Sequence, residues 1–160
     1  MTIAEALERV GGAGRVAKRA ISAPAALNDA PQYGSAFSRG LRIDLNGLVI
    51  LLISGTASVD EKGKTVHAGD FRAQCRRTYG NISDLLAAEG AAWKDVVRTT
   101  CYLRDMERDY AAFNEERTEF FRQQGLDPLP ASTGVQAILC RPDLLVEIEA
   151  IAMFIPAKEE

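Results

Sequence analysis

The sequence predicts an α+β domain, built as one mixed sheet with two helices on one of its faces. Apolar residues recur every three or four positions in two long segments, as they do on one side of a helix, and five other segments resemble strands. The order is strand, strand, helix, strand, helix, strand, strand, which is typical of helices packed together on one sheet face. The strands are apolar on both sides and no third helix is available, so we expect copies of the chain to associate through the open sheet face.

The N-terminal residues 1 to 30 differ in composition from the rest of the chain. They are rich in Ala, Gly and Arg, and apolar residues at helical spacing between Ile3 and Val10 make a short helix possible before Gly11. We expect this segment to be a flexible arm or lid and residues 31 to 160 to form the domain. A chain of 160 residues is long enough for one such domain to bury most of its unfolded surface.

The first two strands are predicted over residues 36 to 43 and 48 to 54, as a hairpin. The linking residues 44 to 47 end in Asn-Gly, a pair that accepts the positive φ angles of tight hairpin turns. The first helix follows over residues 70 to 89, where apolar side chains share one face, and Gly90 provides its stop.

The second half of the chain contributes the remaining four elements. Residues 95 to 105 predict a strand, and a helix follows from Asp109, its expected N-cap, to about Gly125. Residues 131 to 139 and 144 to 155 predict the last two strands.

Small polar residues follow the second strand and suggest a ligand site. Ser54, Gly55 and Thr56 can orient a carboxylate or carbonyl through hydroxyl and backbone N–H groups, although an ordinary strand-ending turn has the same composition. Asn114 either donates a hydrogen bond to a substrate held by a neighbouring copy or is a solvated helix residue.

Charge and composition exclude several classes of function. Nineteen basic and 22 acidic residues give a net charge of -3 and the basic residues are scattered, so nothing predicts nucleic-acid binding. The longest apolar run before the last strand is too short to span a membrane, and no secretory signal is evident. Three isolated cysteines and one histidine predict reduced thiols and no metal site. We therefore expect a cytoplasmic protein. We expect no cofactor, because the hydrolytic chemistry considered below needs only a carboxylic acid and water.

Two carboxylates lie within the apolar C-terminal strand. Glu147 and Glu149 alternate with apolar residues, so they share one face about 7 Å apart. Burial penalises an ionised carboxylate, so such a group either finds partners or retains its proton to unusually high pH. Glu147 is therefore a candidate general acid. The alternative is a structural group satisfied by Arg98, Arg141 or backbone amides.

Residues 33 to 155 resemble the Rid family, also called the YjgF or L-PSP family. The segments that carry the resemblance are Ser54-Gly55, Val97-Arg98-Thr99-Thr100, Leu103-Arg104-Asp105, Phe113-Asn114, Phe120-Phe121, Pro130-Ala131 and Val146 to Ala152. The resemblance implies a homotrimer with an inner β-barrel and three clefts between subunits. It also implies hydrolysis of enamines and imines of 2-keto acids.

This chain departs from the family's site at several positions. The resemblance places Ser132 where the deaminases carry the arginine that binds the substrate carboxylate, and Phe37 where they carry a tyrosine. Ser54, Asn114 and Glu147 match the family's cleft serine, asparagine and glutamate. A neutral serine cannot form a bidentate pair with a carboxylate, so ordinary deaminase activity is doubtful.

A second resemblance is to the C-terminal half of the chorismatases, which share the fold. It rests on Phe37-Ser38-Arg39, on the segment 54 to 58, and on Cys140-Arg141 followed by the segment 143 to 149. In those enzymes a cysteine and a glutamate at this spacing lie where an enolpyruvyl ether is hydrolysed. The resemblance implies a pocket role for Cys140, whereas a small buried thiol is the structural alternative.

Both resemblances imply protonation of an electron-rich alkene carbon, followed by attack of water. The sequence thus predicts a hydrolase of a small enamine, imine or enol-ether carboxylate, with a non-catalytic binding or regulatory protein as the alternative. A substrate carboxylate requires a cation in place of the missing arginine, and Arg39, Arg98 and Arg141 are the candidates. Arg141 ranks first because it adjoins Cys140.

Overall fold

A computed structural model of the chain describes residues 16 to 157. Within that range the strands are β1 (Lys18–Ala20), β2 (Gly40–Leu45), β3 (Leu48–Ala57), β4 (Val96–Leu103), β5 (Ala131–Gln136) and β6 (Val146–Phe154), and the α-helices are α1 (Phe71–Ala87) and α2 (Met106–Gln123). The predicted α+β class is confirmed, and the seven predicted elements occur in the predicted order, preceded by one strand that was not predicted, β1. None of the helices in this range is long and apolar enough to cross a membrane.

The strands form a mixed sheet in the order β1-β2-β3-β6-β4-β5. β4 and β5 are parallel, and the other neighbouring strands are antiparallel. Parallel neighbours need a long crossover connection, which α2 provides between β4 and β5. β5 therefore lies at one edge of the sheet, beside the helix that precedes it.

The β2–β3 hairpin turns at Asn46 and Gly47, which have φ angles of 49° and 93°. This confirms the predicted Asn-Gly turn. The prediction was wrong about the extent of β2, which covers residues 40 to 45, because a two-residue turn lets the pairing continue to its very end at Leu45 and Leu48. Residues 36 to 39 lie outside the strand. β5 likewise ends at Gln136, three residues before its predicted end.

The second helix begins four residues earlier than its sequence pattern predicted. Asp105 is its N-cap, and the carboxylate accepts the backbone N–H of Arg108 over 2.9 Å. Asp109, the predicted cap, lies inside α2, where it is buried and paired with the Arg108 guanidinium. Aspartate is a common N-cap residue, so both Asp105 and Asp109 are candidates by residue type. Asp105, which is nearer the end of β4, is the N-cap.

Both helices pack on the same face of the sheet, as predicted. Fully buried side chains from both layers meet there, among them Leu51, Leu103, Ile148, Ile82 and Phe113. The other face carries apolar side chains that are paired across the strands, and several of them are about 40% exposed. These residues form the open face: Leu41, Ile43, Leu45, Leu48, Ile50, Leu52, Ile151 and Met153.

The segment before β2 contributes to the domain. β1 pairs with β2, and Ile21 and Leu27 are buried in the main core. The sequence placed these residues in the arm over positions 1 to 30. The helix predicted between Ile3 and Val10 lies outside the described residues.

Candidate functional site

Eight of the nine site residues predicted from the sequence lie in or beside two depressions on one chain. The first, which we call the Glu147 cleft, is a cavity of about 650 Å³ between the end of β3, the start of β6 and the loops around them. It brings together six of the predicted residues with Ser35 and Arg39. Those six are Phe37, Ser54, Gly55, Cys140, Arg141 and Glu147.

A bulge in β3 makes room for the Glu147 carboxylate. The pairing of β3 with β6 shifts between Ile53 and Thr56, which leaves Ser54 and Gly55 outside the regular ladder. A Cβ atom at position 55 would overlap the carboxylate of Glu147. The absence of a side chain at Gly55 therefore leaves the space that the Glu147 carboxylate occupies.

The environment of Glu147 favours its neutral form. Burial raises the pKa of the Glu147 carboxyl, and the nearby Glu149 raises that pKa further. Within residues 16 to 157, no side chain forms a hydrogen bond or an ion pair with Glu147 that would favour the carboxylate. Glu149 differs because Tyr102 Oη donates a hydrogen bond to its Oε1 atom over 3.3 Å. The two carboxylates are therefore not equivalent.

Ser54 connects the bulge to the loop that carries Phe37. Its hydroxyl donates to the carbonyl of Ser38 over 2.7 Å, and its backbone N–H donates to the carbonyl of Arg39. The hydroxyl oxygen keeps its capacity to accept a hydrogen bond. Thr56 does not line the cleft: its side chain is buried, and its hydroxyl donates to the carbonyl of Ser54.

The loop between β5 and β6 forms the opposite wall of the cleft. It presents Cys140, which is an exposed free thiol, and Arg141. Arg141 Nη1 donates to the carbonyl of Gly63 over 2.7 Å and lies 3.3 Å from Thr65 Oγ1. The first-ranked cation of the cleft is thus engaged in holding a neighbouring loop.

Two side chains that the sequence analysis did not identify, Arg104 and the buried Gln74, hold this wall in place. Arg104 Nε donates to the carbonyl of Leu144 over 2.6 Å. Gln74 donates to the carbonyl of Asp143 and accepts the N–H of Leu145. Gln74 is fully buried in α1, and a polar residue on the apolar face of a helix is the signal that indicated such a role.

The second depression, which we call the α2–β5 groove, is lined by one further predicted residue, and another lies beside it. Its volume is about 470 Å³, and Ser132 lies on its β5 side. Asn114 is joined to it through Arg117, whose Nη2 donates to Asn114 Oδ1 over 2.5 Å and whose Nη1 donates to Ser132 Oγ over 3.2 Å. The structure therefore separates Ser132 and Asn114 from the Glu147 cleft of the same chain.

Arg117 is the residue of this groove that the sequence analysis missed. The candidate cations predicted from the sequence are Arg39, Arg98 and Arg141, and Arg117 is not among them. A signal was present, since Asn114 and Arg117 are three positions apart and so lie on one helix face.

Within the described range, no three His, Cys, Asp or Glu side chains are grouped so that they could hold a metal ion. Arg98, the third candidate cation, lies away from both depressions. It is exposed, and its Nη2 donates to Thr133 Oγ1 over 2.9 Å. The chemical groups gathered in the Glu147 cleft are thus a carboxyl, hydroxyls, a thiol and guanidinium groups.

Comparison with known proteins adds a family context to this geometry. The family model described as Endoribonuclease L-PSP matches residues 27 to 154, a span that includes both depressions. The 3-aminoacrylate deaminase RutC of Acinetobacter baylyi is 37% identical over 103 residues, which are 64% of this chain and 78% of that protein.

Solved structures show the same architecture. The YjgF gene product of E. coli has a TM-score of 0.68 and 28% identity, with 84% of this chain and 97% of that chain covered. TdcF of E. coli, solved with bound serine, has a TM-score of 0.68 and 27% identity over 84% of this chain and 97% of that chain.

Proposed function

This chain belongs to the Rid (L-PSP) family, and on that premise we propose that it hydrolyses small enamines or imines that carry a carboxylate. One relative is named as a 3-aminoacrylate deaminase, and another was solved with a bound amino acid. Both names concern small amino compounds with a carboxylate. They support the same class of substrate for this chain.

Glu147 is the general acid of the proposed reaction. The protonated carboxyl gives its proton to the alkene carbon of the enamine, which becomes an iminium ion. Water then attacks the iminium carbon, and the Glu147 carboxylate takes a proton from that water. The carbinolamine collapses to a 2-keto acid and ammonia, so one water is consumed for each ammonia released.

The observation that carries this role is the position of the Glu147 carboxyl, which lines the cleft against Gly55. Its raised pKa keeps the proton available nearer to neutral pH, and the bulge at Gly55 lets the group face the cleft. Glu149 lacks this freedom because Tyr102 donates to it. The hydroxyl of Ser54, on the cleft lining, is a polar group that can orient the attacking water or the substrate.

We place the complete site between subunits of a homotrimer. The Glu147 cleft and the α2–β5 groove are separate on one chain, and both contain residues that match the family's cleft. Proteins of this family typically associate with themselves. The apolar open face supports association of three copies, so that the groove of one copy completes the cleft of the next.

The Glu147→Gln variant tests the acid role directly. The amide has nearly the same shape but cannot donate a proton to carbon, so we expect turnover of freshly generated 2-aminoacrylate to fall by about 100-fold or more.

In the unchanged protein, turnover should be high below the pKa of Glu147 and fall as the pH rises through it, because only the protonated form is active.

The release of 2-keto acid is measured beside a parallel assay with chorismate. A fully active Gln variant would remove Glu147 from the mechanism. Product from chorismate alone would favour enol-ether hydrolysis. No product from either, together with thermal stabilisation by an added 2-keto acid, would favour the non-catalytic binding protein.

A further inference from the structure

Arg117 carries a positive charge into the α2–β5 groove without a carboxylate partner in the described part of the chain. Its side-chain acceptors there are Asn114 Oδ1 and Ser132 Oγ, which are both neutral. The guanidinium also lies 5.1 Å from the centroid of the Phe113 ring. A guanidinium has five N–H donors, so donors remain after these two bonds. The charge is thus held in position yet able to bind an anion.

The Ser132 hydroxyl is oriented to support such an anion. Its oxygen accepts hydrogen bonds from Thr99 Oγ1 over 3.1 Å and from Arg117 Nη1 over 3.2 Å. A hydroxyl oxygen has two lone pairs, and these two bonds use both of them. The hydroxyl hydrogen therefore remains available for donation to a ligand. The Cys101 sulfur, 4.0 Å away, is a weak acceptor. A cation and a hydroxyl donor thus stand side by side at the groove.

The other candidate cations have different surroundings. Arg141 is bound to the carbonyl of Gly63 and lies against Thr65. Arg39 donates through Nε and Nη2 to Asn28. These contacts hold loops around the Glu147 cleft, whereas the contacts of Arg117 are to residues of the groove itself.

The walls of the groove are largely apolar. Phe121, Leu126, Leu129 and Pro130 line it beside Arg117, and Leu129 is 65% exposed. A volume of about 470 Å³ exceeds what a carboxylate alone requires. The combination suits a ligand with a carboxylate at one end and an apolar group near it.

We propose that Arg117 binds the carboxylate of the substrate and that the apolar walls receive its side chain. The substrates are then enamines or imines of 2-keto acids with branched or aromatic side chains. The reacting group in this statement rests on the proposed function, but recognition of the carboxylate does not depend on turnover.

Calorimetric titration of the full chain with two stable 2-keto acids tests the inference. We expect 4-methyl-2-oxopentanoate to bind about tenfold more tightly than pyruvate, because three additional carbons leave water. Arg117→Gln should weaken binding of 4-methyl-2-oxopentanoate about tenfold or more, since a charge-assisted pair is lost. Arg117→Lys keeps the charge but loses the planar fork, so its affinity should be intermediate.

Arg76→Gln is the matched control. Arg76 is an exposed arginine on α1 whose partner Glu116 retains a second ion pair with Arg72, and we expect unchanged binding. Circular dichroism verifies that each variant is folded.

Two outcomes would overturn the role of Arg117. One is equal affinity of Arg117→Gln, Arg117→Lys and the unchanged protein, and the other is no binding of either keto acid to the unchanged protein. Equal affinity for the two keto acids would overturn the apolar part.

The two proposals fail separately. If the unchanged protein binds 4-methyl-2-oxopentanoate through Arg117 but hydrolyses no enamine, the proposed function is wrong and the carboxylate site stands. If enamines are hydrolysed and Arg117→Gln has unchanged affinity and turnover, the proposed function stands and Arg117 is not the anchor.

Discussion

At the scale of single residues, the position of the Glu147 carboxylate depends on the absence of a side chain at Gly55. The carboxylate rests where any larger residue at position 55 would place its Cβ atom. Desolvation there raises the Glu147 pKa, whereas Glu149 two residues later receives a hydrogen bond from Tyr102. Two glutamates of one strand therefore acquire different chemistry from their local contacts.

Gly55→Ala should reduce turnover without unfolding the chain. The added methyl group overlaps the carboxylate, which is the end of a flexible side chain, so Glu147 is expected to rotate away. We expect kcat for the enamine substrate to fall by about tenfold or more, because a displaced acid loses its alignment with the reacting carbon. Steady-state kinetics and a thermal melt of the same sample measure the two effects.

Gly80→Ala is the control for this substitution. Gly80 lies in the middle of α1, where a Cβ atom would meet nothing within 4 Å, and alanine favours the helix by about 1 kcal/mol. This variant should keep its kcat and gain stability. An unchanged kcat in Gly55→Ala would mean that the position of Glu147 does not limit the reaction.

At the scale of elements, the N-terminus of α2 depends on Asp105. Replacing Asp105 with Ala removes the acceptor for the N–H of Arg108 and should lower the free energy of unfolding by about 1 kcal/mol. Urea denaturation at one fixed protein concentration measures this change. Glu107→Ala, an exposed change in the same helical turn, should have a much smaller effect. If both variants lose the same free energy of unfolding, the effect comes from negative charge near the helix end and Asp105 does not act as a specific cap.

The elements that periodicity specifies were predictable, and their ends were less so. The 3.6-residue repeat identified α1 and α2 because burial of one face is a property of the whole segment. The choice between Asp105 and Asp109 as N-cap depends on where β4 stops, which is a tertiary property. The bulge at Ser54 and Gly55 also cannot be predicted from the alternation of apolar and polar residues, since it depends on how β3 pairs with β6.

At the scale of the whole molecule, part of the site was predictable because it lies at strand ends. Ser54, Cys140 and Glu147 converge because β3 and β6 are neighbours, and an alternating pattern predicts such strands without their order. Arg117 was missed because its place in the α2–β5 groove comes from the proximity of α2 to the β5 edge. That proximity follows from the crossover between parallel strands and cannot be read from residue spacing.

The open face makes assembly a testable property of the whole molecule. Leu52 lies between Leu41 and Ile151 on that face and is 38% exposed in the single chain. Apolar surface of this kind is normally covered by a partner. If three copies meet there, Leu52→Lys forces a charge into the interface, at a cost of several kcal/mol.

Light scattering coupled to size exclusion should therefore report a mass near 17.4 kDa for Leu52→Lys and about three times that value for the unchanged protein. The circular dichroism spectrum should be retained, because Leu52 lies outside the core beneath the helices. Ala87→Lys adds the same charge at the exposed end of α1 and should stay trimeric. Enamine turnover should be lost with the trimer, since in the proposed assembly the cleft and the groove come from different copies. A trimeric Leu52→Lys variant would exclude the open face as the interface, and an active monomer would show that one chain holds a complete site.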